Sequence, residues 1–220
     1  MIETYPDAGA LADAAAQAIA ARLADALRTH GRAGLVATGG RSPGPVFDRL
    51  AASDALDWSR VVVTLSDERC VPPDDPACNA RQLRERLLHG RAAKAHFLPL
   101  WPAPLDEALA ALQPFDAVML GMGEDGHIAS LIPGDPDLED ALGTTDRLRL
   151  VPAGLGKPPV ARVTLTLRAL LDARAIFLLV AGEAKRAVIE SAQAGGDLPV
   201  GRLLAQTKVP VRIFWTPDGG

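Results

Sequence analysis

Asp125-Gly126-His127 sets a carboxylate and an imidazole two residues apart with only a glycine between them. Imidazole is the side chain whose ordinary pKa suits proton transfer near neutrality, and an adjacent carboxylate can orient it or tune its charge. The pair follows the apolar run 115–120 and sits among Gly121, Gly123 and Gly126, so a ligand can approach this backbone without meeting bulky side chains. A glycine-rich turn carrying a surface histidine has the same pattern, and the segment alone leaves both readings open.

Three further segments supply groups that complement such a pair. Gly39-Gly40-Arg41-Ser42-Pro43 is a glycine turn running into a helix start, with Ser42 as N-cap and Pro43 at the first helical position. Free amides and the positive end of a helix dipole suit a phosphate there, and the Ser42 hydroxyl adds a donor. An ordinary strand–turn–helix joint with a capping serine reads the same way. Asp67-Glu68-Arg69 ends a second apolar run, where a guanidinium can grip an anion with two parallel bonds while the adjacent carboxylates orient it. The alternative is a solvated charge cluster. Lys185 follows Gly182 by three residues, in the first turn of a helix whose dipole opposes its charge, a cost that an anionic ligand offsets. Arg162, just ahead of an alternating strand, is a weaker candidate of the same kind. His30, His89 and His96 have no such setting, and nothing near Cys70 or Cys78 supplies a base to activate a thiol.

The elements that must position these residues alternate. Helical spacing predicts a helix over 8–29, capped by Asp7 and ended by Gly31. Strands are predicted at 34–38, 61–65, 115–120, 163–167, 176–181 and 209–215, with a shorter apolar piece at 95–100. Helices are predicted from Ser42 through Leu50, over 79–88 and 105–112, from about Leu170, and from Gly182 through Ile189. Residues 154–159 read as a flexible loop. Alternation of this kind predicts an α/β fold, a mostly parallel sheet with helices on both faces, as one domain over residues 1–220. In a parallel sheet the four glycine-rich or polar strand ends project from one edge, where such folds bind ligands.

Composition narrows the function classes. Of the 220 residues, 48% are hydrophobic, enough for a large core, and the aromatic share of 4% means that Ala, Leu and Val must fill it. A net charge of -4 argues against a nucleic-acid surface, and no apolar run is long enough to span a bilayer. With no leader pattern at the start, a cytoplasmic location is expected. Neither a zinc site nor a disulfide framework is indicated by two cysteines.

In this order and spacing, Gly39-Gly40-Arg41-Ser42-Pro43, Asp67-Glu68-Arg69 with Val71-Pro72 and Asn79, the stretch 121–133, Arg162-Val163-Thr164-Leu165-Thr166 and Gly182-Glu183-Ala184-Lys185 resemble the 6-phosphogluconolactonase family. The resemblance runs over nearly the whole chain. It implies a Rossmann-like α/β fold and hydrolysis of 6-phospho-D-glucono-1,5-lactone to 6-phosphogluconate, the second step of the oxidative pentose phosphate branch, without metal or organic cofactor. His127 would then act as general base with Asp125 orienting it. Gly39, Gly40, Ser42, Asp67, Arg69, Gly123, Arg162 and Lys185 would bind substrate, with amides of the 121–126 loop or an arginine at the oxyanion. The expected partner is a small sugar-phosphate lactone, the expected state a monomer or small homo-oligomer. The chain departs from the family pattern with Arg41-Ser42 for Ser-Thr, with Cys70 and Cys78, and with Ile128 and Ile132 for Thr and Phe. Glucosamine-6-phosphate deaminases share a Gly-His-Ile run, but they continue with Phe-Asn-Glu-Pro, whereas Ser130-Leu131-Ile132-Pro133 lacks the acid. A sugar-phosphate sensor would need a DNA-binding helix pair that residues 1–30 do not offer.

Overall fold

A computed structural model describes residues 1–102 and 106–218. In chain order the elements are β1 Ile2–Thr4, α1 Ala8–His30, β2 Ala33–Ala37, α2 Pro43–Ala52, β3 Val61–Leu65, β4 Asp67–Arg69, α3 Asn79–Arg86, β5 His96–Phe97, α4 Asp106–Leu112, β6 Ala117–Gly121, α5 Leu138–Gly143, β7 Leu148–Val151, β8 Arg162–Leu165, α6 Leu167–Leu171, β9 Ile176–Ala181, α7 Glu183–Gln193, α8 Pro199–Ala205 and β10 Val211–Thr216. The predicted start of the fourth helix, Leu105, lies outside the described residues.

Seven strands form one sheet in the order β1-β10-β9-β6-β2-β3-β5, with every pairing parallel. β2 is buried along its whole length, and β6 and β9 are buried up to their last residue, as expected of strands covered on both faces. From β2 the chain winds outward through β3 and β5, and from β6 it winds the opposite way through β9 and β10. Right-handed crossovers in opposite directions place α2 and α7 on opposite faces of the sheet. The switch point falls between β2 and β6, so the 39–42 turn and the 121–127 loop leave the carboxyl edge side by side.

α1 follows the predicted logic. Asp7 accepts the Ala10 amide at 2.8 Å, Gly31 takes φ 79°, and Leu11, Ala15, Ile19, Leu23 and Ala26 form the buried stripe. No helix among the described residues is long and apolar enough to cross a membrane.

The second sheet departs from expectation. β3 passes through Ser66 directly into β4, which leaves the main sheet and pairs antiparallel with β8, itself antiparallel to β7. The strand predicted at 163–167 therefore ends at Leu165 and belongs to a small antiparallel sheet. Its helix starts at Leu167, three residues early, because Thr166 caps it by accepting the Ala169 amide. Two other ends also move. α3 stops at Arg86, and the apolar piece at 95–100 shrinks to a two-residue strand. The 154–159 segment lies in the β7–β8 connection.

Candidate active site

At the switch point, a cavity of about 240 Å³ is lined by both glycine loops, by His127 and by Arg69, Arg162 and Lys185. Segments far apart in sequence thus share one wall-to-wall space small enough for a single sugar phosphate.

On one side stands the imidazole. His127 Nδ1 lies 2.6 Å from Asp125 Oδ1, with the two side chains 33% and 48% exposed. The His127 bond holds the Asp125 carboxyl below its usual range, against a smaller opposing effect of burial. Asp125 does not line the cavity; it stands behind the ring. Gly123 explains how the pair fits, since a Cβ there would lie 2.2 Å from His127 Nδ1 and 2.4 Å from Asp125 Oδ1. The loop amides at Gly123 and Gly126 are engaged internally, by the carbonyls of His127 at 3.0 Å and Gly123 at 3.1 Å. The expectation that they meet an oxyanion loses those two donors.

Arg69 and Arg162 stand together in another part of the cavity wall. Arg69 Nη1 donates to the Ala77 carbonyl at 2.9 Å and to Asn79 Oδ1, so α3 and its preceding turn orient it rather than the adjacent carboxylates. Those carboxylates are buried, not a solvated cluster. Glu68 accepts the Arg69, Asn79 and Ala80 amides, fixing the start of α3, and burial raises its pKa. Asp67 lines the cavity and accepts the Ser66 hydroxyl at 2.9 Å on one oxygen and the Ser130 hydroxyl at 2.6 Å on the other. Arg162, 3% exposed, donates to the Pro158 carbonyl at 3.0 Å, and burial lowers its pKa, with Arg69 adding to that effect. The Nε atoms of both Arg69 and Arg162 are buried without a partner. Lys185 lies instead within the field of Glu124 and Asp125, half-buried at the start of α7, and burial pushes its pKa down against their smaller effect.

The 39–42 turn joins the two sides. Gly39 has no room for a side chain, because a Cβ would lie 1.9 Å from Asn79 Oδ1, and Gly40 takes φ 105°. Gly40 is clasped by Gln82, which accepts its amide at 3.1 Å and donates to its carbonyl at 2.6 Å. Its amide is therefore not free for phosphate. Ser42 is the N-cap of α2 with Pro43 first in the helix, as expected, but it has helical backbone angles and makes no side-chain cap bond. Its hydroxyl is left for the cavity that it lines.

Sequence reasoning assigned no role to the supporting residues, although Asn79 and Ser130 lie in segments that carry the resemblance. Asn79 and Gln82 stand three apart on α3, a spacing that puts them on one face and could have signalled a shared task. Ser130 is a lone polar residue in an apolar run, wholly buried, and its sequence gives no hint of its partners. His30, assigned no chemistry, meets Asp116 at 3.2 Å by the starts of β2 and β6, at the other edge of the sheet. Cys70 and Cys78 are free thiols that line a different cavity, and burial pushes both thiols up. No group of three or more His, Cys, Asp or Glu side chains among the described residues is placed to hold a metal.

The family model described as glucosamine-6-phosphate isomerases/6-phosphogluconolactonase matches residues 6–215. A 6-phosphogluconolactonase of Caulobacter vibrioides is 42% identical over 225 residues, covering 97% of this chain and 96% of that one. This chain belongs to the 6-phosphogluconolactonase family. A 6-phosphogluconolactonase of Rhizobium meliloti is 40% identical, with 97% of each chain covered. The solved structure of a 6-phosphogluconolactonase from Shewanella baltica OS155 superimposes with a TM-score of 0.89 at 36% identity, covering 98% of this chain and 97% of that one. Against that family, Ile128 and Ile132 are 0% and 4% exposed, and neither lines the cavity. They are core substitutions here.

Proposed function

We propose that this chain hydrolyses 6-phospho-D-glucono-1,5-lactone to 6-phospho-D-gluconate, the second step of the oxidative pentose phosphate branch. The observation that carries the reading is one small cavity lined by His127, whose ring is held by Asp125, and by Arg69, Arg162 and Lys185. Its charges match a substrate with an electrophilic carbonyl at one end and a phosphate dianion at the other.

The carboxylate of Asp125 can only accept, so Nδ1 of His127 carries the proton and Nε2 is left as base. Nε2 takes a proton from water as its oxygen attacks the lactone carbonyl, and a positioned base of this kind is worth about 10²–10⁴-fold. The tetrahedral oxyanion is left to donors other than the Gly123 and Gly126 amides, which are engaged. Collapse of the intermediate breaks the ring C–O bond, and His127 returns its proton to the departing C5 oxygen. Lys185, Arg162, Arg69 and the Ser42 hydroxyl hold the phosphate, which converts binding at a non-reacting group into orientation of the carbonyl.

The test is a coupled assay in which the lactone is generated in place and its disappearance is followed with and without the protein. Acceleration over the spontaneous rate is expected. An unaccelerated lactone, with ammonia released from glucosamine 6-phosphate instead, overturns the reading in favour of the deaminase.

A further inference from the structure

We propose that Ser130 is a positioning residue whose hydroxyl keeps Arg162 from closing onto Asp67, so that the guanidinium charge stays available to an anionic ligand. The inference rests on reading the cavity as an anion site.

Asp67 and Arg162 face each other in a nearly dry setting, with side chains 6% and 4% exposed. Opposite charges so placed ordinarily close to about 2.7–2.9 Å, often through two parallel bonds. Here Arg162 Nη1 stands 3.9 Å from Asp67 Oδ2. The Ser130 hydroxyl stands beside the pair and contacts both partners. It donates to Asp67 Oδ2 at 2.6 Å, and its oxygen lies 3.4 Å from Arg162 Nη1 as an acceptor. With the Ser66 hydroxyl on Oδ1, Asp67 is satisfied by two neutral donors and has no need of the guanidinium.

The backbone fixes Ser130 beside the pair. Its amide donates to Thr164 Oγ1 at 3.1 Å, tying the segment to β8 next to Arg162. Ala129 before it takes φ 50°, a left-handed conformation rarely adopted by residues other than glycine. The same turn carries His127 on the cavity wall and drops Ser130 to full burial beneath it. Arg162 keeps an unpartnered Nε in a wall that also holds the unpartnered Nε of Arg69. Two arginines beside one carboxylate that hydroxyls already satisfy leave net positive charge, which a phosphate dianion matches.

Removing the hydroxyl strips Oδ2 of its donor and favours a move of roughly 1 Å by Arg162 to form a direct ion pair. Stability and anion affinity should then move apart, whereas a role in packing alone lowers both. The experiment compares Ser130→Ala with the parent by calorimetric binding of inorganic phosphate, by thermal unfolding and by lactonase kinetics. Phosphate affinity is expected to fall about tenfold and KM to rise with it, with Tm unchanged or higher and kcat within a few-fold. Adding Asp67→Asn, which removes the captor, is expected to recover affinity toward the parent value. Affinity within about twofold of the parent overturns the proposal, as does a joint loss of affinity and Tm that the double variant does not recover. Should Ser130→Ala not fold, Ser130→Cys keeps the volume with a weak donor and is read by the same criteria. A parent that binds phosphate yet leaves the lactone untouched removes the proposed function, and the phosphate measurements still decide the role of Ser130.

Discussion

The Asp125–His127 pair is local, short and wet: two residues apart, 2.6 Å long, with a third to a half of each side chain exposed. The Asp67–Arg162 pair joins distant segments, stands open at 3.9 Å and is almost fully buried. Both set a carboxylate against a basic side chain at the edge of one cavity. The first can exchange a proton with water, because solvent reaches it and the carboxylate fixes which nitrogen is free. The second is arranged so that the two charges do not satisfy each other, which stores positive charge for a ligand. Proximity to water suits the base; burial with an incomplete partner suits the anion site.

Two glycines allow each side to be broken separately. Gly123→Ala puts a methyl 2.2 Å from His127 Nδ1, and the nearest atoms are side chains able to move, so the fold should survive while the pair does not. A fall in kcat of about 10²–10⁴-fold with near-normal phosphate affinity is expected, read by steady-state kinetics and calorimetry. Retained kcat would break the contrast. Gly39→Ala instead drives a methyl into Asn79, the residue that holds Arg69. KM is expected to rise about tenfold with kcat changed a few-fold at most. A kcat collapse there would mean that the two sides are not separable.

The smallest expected effect sharpens the comparison through pH. Burial holds Lys185 below the ordinary lysine range, so its charge is lost earlier as pH rises. KM should climb in mildly alkaline solution before an exposed lysine would titrate, and Lys185→Ala should raise KM and flatten that climb. The stability sign is opposite: the charged, buried lysine costs stability below its folded pKa, and the cost is relieved as pH rises through that value. A KM that is flat with pH in the parent would contradict the role.

What was legible in the sequence follows the same division. β2, β3, β6 and β9 read clearly because strands covered on both faces are apolar runs, and each stops at a glycine or charged tip. Asp125 and His127 were readable for being neighbours. β1 and β7 were not, one for its three residues and the other because Arg149 and a 67% exposed Leu150 break its pattern. α8 was hidden by Pro199 and Gly201, the latter packed where a Cβ would lie 2.2 Å from the Gly196 carbonyl oxygen. β8 was recognised as a strand but assigned to the wrong sheet, since pairing partners are a long-range property. The Asp67–Ser130–Arg162 link was invisible for that reason too, and so was the clasp of Gln82 on Gly40.

The most direct measurement is lactone turnover by His127→Ala, made alongside phosphate affinity on the same preparation. Turnover reduced by about 10²–10⁴-fold with phosphate affinity preserved is the expected result. Near-parental turnover would show that the imidazole is not the base, and the chemistry assigned to this edge of the sheet would have to be abandoned.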